Sequence, residues 1–152
     1  RKLKNILNLN NLVILECAIG EKEKTAILSN STNLSVTGQI INEDVSNNKK
    51  HFKVAQKSFD KIIKQYEIKK IDYVKVNIEG YETNFLEGYK YLQPKVKNFC
   101  IGCHDFLSPP KKTFDIVKSW LIKNNYETNI YKKDKKLEIW EKYYIYGKSK
   151  SE

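Results

Sequence analysis

The sequence predicts an α/β layered fold built on a mostly parallel sheet. Three observations predict it. Apolar runs of strand length alternate with runs whose apolar residues recur at helical spacing. Two of the strand-like runs, "IDYVKVN" and "NFCIGCH", stop abruptly in polar, chemistry-bearing residues. The last two strand-like runs are joined by a short Lys-Asp-Lys turn, which adds an antiparallel edge strand. Strands alternating with crossover helices imply parallel pairing with helices on both faces.

Taken in order, residues 1–11, "RKLKNILNLNN", place Leu3, Ile6 and Leu7 on one side of a helix that Asn10 and Asn11 stop. "LVILECAI" (12–19) is a continuous apolar run, the pattern of a strand buried on both faces. Gly20 and "EKEK" form a turn, and "TAILS" (25–29) is a shorter strand. Residues 30–50 read as a long polar loop with a short strand near Ser35–Gln39, and "HFKVAQK" (51–57) as a strand. Ser58 is an N-cap for a helix over 58–68 that carries Phe59, Ile62, Ile63 and Tyr66. "IDYVKVNI" (71–78) is a strand. "YETNFLEGYKYL" (81–92) is a helix with Tyr81, Phe85, Tyr89 and Leu92 in register, ended by Pro94. "VKNFCIGCH" (96–104) is a strand. A helix follows Pro109 and Pro110, with Phe114, Val117 and Leu121 on its apolar face. Residues 126–133 and 136–147 form the closing hairpin. There is no internal repeat.

The 152 residues suffice for one domain with a core. A hydrophobic content of 40% and an aromatic content of 12% exclude a disordered chain. The net charge of +10 comes almost wholly from lysine, since Arg1 is the only arginine, and it is spread evenly along the chain. Base readout favours arginine, so the charge reads as a solvated lysine surface and no specific nucleic-acid partner is expected. Three cysteines do not suggest a disulfide framework. No apolar run approaches the ~20 residues of a membrane span, and no signal peptide is visible. A cytoplasmic protein without a membrane partner is the expectation.

In open α/β sheets ligands sit beyond the carboxyl ends of parallel strands. If "IDYVKVN" and "NFCIGCH" are parallel neighbours, Asn77, Glu79, Glu82, His104 and Asp105 converge on one rim. The bland alternative for Glu79 and Glu82 is that they only complement the positive N-terminus of the following helix. "CIGCH" matches a haem-attachment pattern, but side chains alternate along a strand, so Cys100 and Cys103 point to opposite faces and cannot grip one group. They read as small buried cysteines. His51 has no partner motif. The ten tyrosines read as core and edge residues, and Trp120 and Trp140 as packing against the sheet.

"IDYVKVNIEGYETNFLEG" resembles the signature of FkbM-type methyltransferases, whose fourth strand carries a run like "iDfiKiDvEGyE…vLkGa". "RKLKNILNLNNLVILECAIGEKEKTAIL" is similar to that family's helix and third strand, "SFDKII" to its "tLDdl" helix, and "FCIGCHDF" to a strand ending in "E-x-H". The resemblance covers about residues 1–125. It implies a Rossmann-like, class I methyltransferase sheet, S-adenosylmethionine as cofactor, and methyl transfer to the hydroxyl of a small acceptor such as a sugar or natural product. On that basis His104 is the candidate base with Glu79 as its catalytic companion. Glu82 and Asp105 would hold the acceptor, and Asn77 the cofactor. The sequence departs from the family in three places: Asn77 replaces the usual aspartate, Gly102 stands near the usual glutamate, and the first strand, glycine-rich turn and second strand have no counterpart. Either a further segment precedes Arg1, or the chain is an amino-terminally truncated relative. The competing expectations are a non-catalytic binding module on the same sheet and a weak RNA-surface binder.

Overall fold

A computed structural model describes residues 11–30, 38–41, 50–106, 112–131, 136–139 and 141–150. The strands are β1 (Ala18–Ile19), β2 (Lys24–Asn30), β3 (Gly38–Ile41), β4 (Lys50–Lys57), β5 (Ile71–Val76), β6 (Val96–Gly102), β7 (Tyr126–Ile130) and β8 (Tyr144–Ser149). The helices are α1 (Phe59–Gln65), α2 (Glu82–Glu87) and α3 (Thr113–Lys123), and one 3-10 turn, Glu141–Tyr143, precedes β8. Of the helix expected over 1–11, residues 1–10 lie outside the described residues, as do Pro109, Pro110, Trp140 and the side chain of His51.

The strands form two four-stranded sheets, ordered β1-β4-β2-β3 and β5-β6-β8-β7. This corrects the single, mostly parallel sheet. Among the described residues only β1/β4 and β5/β6 run parallel, and the other pairings are antiparallel. The physical reason is connectivity: β2 and β4 pair as an antiparallel ribbon on one side, and β8 returns between β6 and β7 on the other. β8 is therefore interior, and β7 is the antiparallel edge.

The core lies between the three helices and one face of β5-β6-β8-β7. Phe99, Ile101, Val117, Leu121, Tyr126 and Ile145 are essentially inaccessible there. Phe99 is its hub, with ring centroids 6.4 Å from Phe85, 6.4 Å from Tyr89, 6.1 Å from Trp120 and 5.3 Å from Tyr126. The opposite face is not covered by α1–α3, and Tyr73, Tyr131 and Tyr146 stand exposed on it. Cys100 and Cys103 divide between faces as their alternation requires: Cys100 lies opposite Tyr146 of β8 and outside the core cluster, whereas Cys103 joins it.

Two further corrections concern element ends. Leu12–Ile19 is not a buried strand: among the described residues only its last two residues pair, with Gln56 and Lys57 of β4, and Leu12, Val13 and Ile14 are exposed. An apolar run forms a two-sided strand only where neighbours exist on both sides. The helix expected to Pro94 stops at Gly88. There the backbone lies so close to Gly20 that a Cβ on Gly88 would sit 2.2 Å from the Gly20 carbonyl oxygen. Beyond Gly88 the amides of Lys90 and Tyr91 donate to the Asp60 carboxylate, and the Tyr89 hydroxyl donates to the Pro94 carbonyl at 2.6 Å. These bonds replace the helical ones.

The two sheets meet at this same place. Asn84 Nδ2 donates to Glu21 Oε2 at 3.2 Å, and Asp60 N donates to the Gly88 carbonyl at 2.9 Å. Although burial raises its pKa, Glu21 is held down to about 2 by hydrogen bonds from Lys24 and Asn84 and by the Lys24 charge. The junction fixes the end of β1 against α2 and so sets one wall of the candidate site.

Candidate functional site

β5 and β6 are parallel neighbours, with Val76 opposite Ile101, so the residues after each strand emerge at the same rim. Asn77 comes directly after β5, and Cys103 and His104 directly after β6. Ile78, Glu79 and Gly80 form the turn into α2, and Tyr81 is the helix N-cap. Glu79 (φ 55) and Gly80 (φ 93) are both left-handed. That conformation is strained for glutamate and natural for glycine. The double reversal curls the backbone so that Ile78 N, at 3.4 Å, and Gly80 N, at 3.1 Å, both donate to Glu82 Oε1.

The rim brings three of the expected residues into one cluster. His104 Nδ1 lies 2.7 Å from Glu82 Oε1, and His104 Nε2 lies 3.4 Å from Glu79 Oε1. The side chain of Glu82 is 0% exposed, that of His104 6% and that of Glu79 17%. Burial pulls the His104 pKa down, but the Glu82 hydrogen bond and the charges of Glu82 and Glu79 outweigh it, so the net shift is upward. The Phe106 ring flanks the imidazole at 5.6 Å. The carboxylates engage opposite nitrogens of one imidazole. Such a placement can stabilise a proton on either ring nitrogen, and among the described residues no cluster could hold a metal.

Asn77 and Asp105 are placed differently. Asn77 is exposed at the strand end, and its Oδ1 accepts from the Tyr144 hydroxyl at 3.2 Å. A Cβ on Gly102 would stand 2.7 Å from that Oδ1, so glycine at 102 leaves the space Asn77 occupies. Asp105 turns away from His104. Its carboxylate accepts from Thr113 N, Thr113 Oγ1 at 2.9 Å and Phe114 N at 3.2 Å, capping α3 from eight residues upstream.

Beside the cluster lies a cleft of about 580 Å³, walled by Leu15–Ile19, Leu28 and Val54 on one side and by Asn77, Ile78, Glu79 and Tyr81 on the other. Its lining is apolar with a carboxylate rim from Glu16 and Glu79. Of the three clustered residues, Glu79 lines this cleft and His104 and Glu82 do not. A larger cleft of about 830 Å³ lies between α1 and the 87–94 segment, lined by lysines and carboxylates together. It contains none of the cluster.

Sequence reasoning identified Asn77, Glu79, Glu82 and His104 because they come directly after two strands. It missed the Ile78 and Gly80 amides that hold Glu82, the Tyr144 hydroxyl on Asn77, and the far wall of the cleft. The Glu-Gly pair at 79–80 signalled the tight turn. Nothing local signalled Tyr144, 67 residues away.

No curated protein and no solved structure matches the chain. The family model of the methyltransferase FkbM domain matches residues 2–128, a span that holds both parallel strands and the whole Glu79–Glu82–His104 cluster. The chain therefore belongs to the methyltransferase FkbM domain family.

Proposed function

We propose that the chain performs S-adenosylmethionine-dependent methyl transfer to the hydroxyl of a small acceptor such as a sugar or natural product. The observation that carries this reading is the His104 imidazole held between Glu82 and Glu79 at the ends of two parallel strands, beside a cleft of about 580 Å³. That volume falls in the range of about 300–1,000 Å³ usual for small-molecule sites.

The residues present fit the adenosyl part of the cofactor. Leu15, Ile19, Leu28, Val54 and Ile78 offer an apolar slot suited to a purine, and the Glu16 carboxylate at the rim would accept hydrogen bonds from ribose hydroxyls. Asn77 at the strand end adds an amide. S-adenosylmethionine, when bound, supplies a methyl group on a sulfonium sulfur that an acceptor oxygen displaces in line, giving a methyl ether, S-adenosylhomocysteine and a proton.

The protein's own contributions are positioning and proton handling. Holding donor and acceptor in line supplies much of the rate. The Glu79–His104 pair takes up the proton that the acceptor hydroxyl loses. The Glu79 carboxylate also favours positive charge at the cleft mouth. Asp105, committed to the amides of α3, sets where the chain goes after β6 and leaves acceptor binding to the cleft walls.

Calorimetric titration with S-adenosylmethionine and S-adenosylhomocysteine tests the reading. Heat at one equivalent, followed by methyl transfer to a panel of hydroxylated acceptors detected by mass, is the expected result. A folded protein that binds neither compound refutes it.

A further inference from the structure

The three clustered side chains are not equivalent. Only Glu79 lines the cleft. His104 stands one layer behind, and Glu82 behind that, with no accessible surface. Glu82 Oε1 accepts from His104 Nδ1 and from the amides of Ile78 and Gly80, while its Oε2 is buried without a partner. A buried carboxylate placed this way is too deep to touch an acceptor, yet it fixes the tautomer of the imidazole in front of it. With Nδ1–H donated to Glu82, the atom left facing Glu79 is Nε2.

We propose, resting on the methyl-transfer reading, that Glu79 is the group that meets the acceptor, and that Glu82 is a positioning residue that holds His104 behind it. The three form one relay, Glu82–His104–Glu79. The acceptor O–H bond breaks as its oxygen bonds the methyl carbon and the carbon–sulfur bond opens. The released proton passes to the Glu79 carboxylate and comes to rest on His104 Nε2, leaving an imidazolium between two carboxylates. This reverses the roles expected from sequence, in which His104 met the acceptor and Glu82 bound it. The same turn that strains Glu79 creates the amide pair for Glu82, so one backbone feature aims both acids at the two nitrogens of one ring.

The groups facing His104 are Glu82 from α2, Glu79 from the preceding turn and the backbone of Gly102 on β6, with Phe106 alongside. Asp105 points to α3. His104 must begin neutral to accept the proton, so the rate rises with pH through its titration, and removing the Glu82 charge moves that rise to lower pH.

The test uses 15N imidazole NMR across a pH series on the full chain, where two histidines make assignment direct. In the parent, neutral His104 is expected as the Nδ1–H tautomer. Glu82→Gln should lower the His104 pKa by about 1 unit or more, as loss of a charge within hydrogen-bond reach does, and shift the acid limb of the rate with it. Glu82→Asp, which keeps the charge, should retain most of the parent pKa and guards against a Gln variant that fails to fold. Glu79→Gln should leave the Nδ1–H tautomer in place but reduce kcat about 100-fold or more, with cofactor binding intact. An unchanged His104 titration in Glu82→Gln, or a Glu79→Gln variant with parental kcat, overturns the proposal. If the parent shows no methyl transfer, the function fails and the role of Glu79 with it. The NMR arm then still decides, separately, whether Glu82 sets His104.

Discussion

Gly88→Ala should loosen the junction between the two sheets. A Cβ at this position would lie 2.2 Å from the Gly20 carbonyl oxygen, 3.2 Å from the Gly20 carbonyl carbon and 3.3 Å from the Phe85 carbonyl oxygen. Gly88 has an ordinary helical φ of −84°, so alanine brings no backbone strain and the whole effect is steric. The nearest obstacle is backbone, which cannot rotate aside, and roughly 1 Å of separation is needed to restore ordinary contact. Moving Gly20 away pulls on its 3.0 Å bond to Lys57, and moving Gly88 pulls on the 2.9 Å bond from Asp60 N. Overpacking of this kind costs about 1–3 kcal/mol, and each backbone hydrogen bond lost adds about 0.5–1.5 kcal/mol. The sum is roughly 2–5 kcal/mol, which for a chain of this length lowers Tm by about 5–15 °C. Thermal and urea unfolding followed by circular dichroism measures it. Gly20→Ala probes the other side of the same junction: its Cβ meets the end of the buried Gln56 side chain at 2.4 Å, and moving that amide gives up its 2.9 Å bond to the Lys22 carbonyl, so a loss of similar size is expected. A Gly88→Ala protein melting within about 1 °C of the parent would refute the steric account.

Three further outcomes are expected. Phe99→Ala removes the ring at the centre of the aromatic cluster and should destabilise by about 3–5 kcal/mol in urea unfolding. Asp105→Ala strips the cap from α3 and should cost about 1–2 kcal/mol, while leaving the 15N titration of His104 unmoved, because Asp105 faces the helix and not the cluster. The raised His104 pKa makes stability pH-dependent with a definite sign: its contribution is complete below the ordinary histidine pKa of about 6.5 and is lost as pH climbs through the raised folded value. The parent should therefore lose stability between about pH 6.5 and the His104 titration in pH-series unfolding. His104→Gln should be flat across that window.

The elements that place the site were legible in chain order alone. The two strands that end at Asn77 and His104 are separated by one short helix, and a parallel pair is the ordinary result of that connection. Once they are parallel, the residues just past their ends must share a rim, and three of the five expected residues do cluster there. The Ser58 cap was likewise local: its hydroxyl accepts from Lys61 N, three residues away. Periodicity could not decide which neighbours a strand finds. Leu12–Ile14 carry the pattern of a buried strand but lie exposed, because burial belongs to the partners and not to the run. The place of β8 between β6 and β7 and the early stop of α2 against Gly20 were also set by contacts distant in sequence. So was the division of labour among the acids. Glu79 and Glu82 are three residues apart and alike in chemistry, and only the curl of the turn sends one to the cleft and the other beneath His104. A sequence records which groups are available near a strand end, but depth below the surface is a property of the packed whole, and depth decides which carboxylate can touch a ligand.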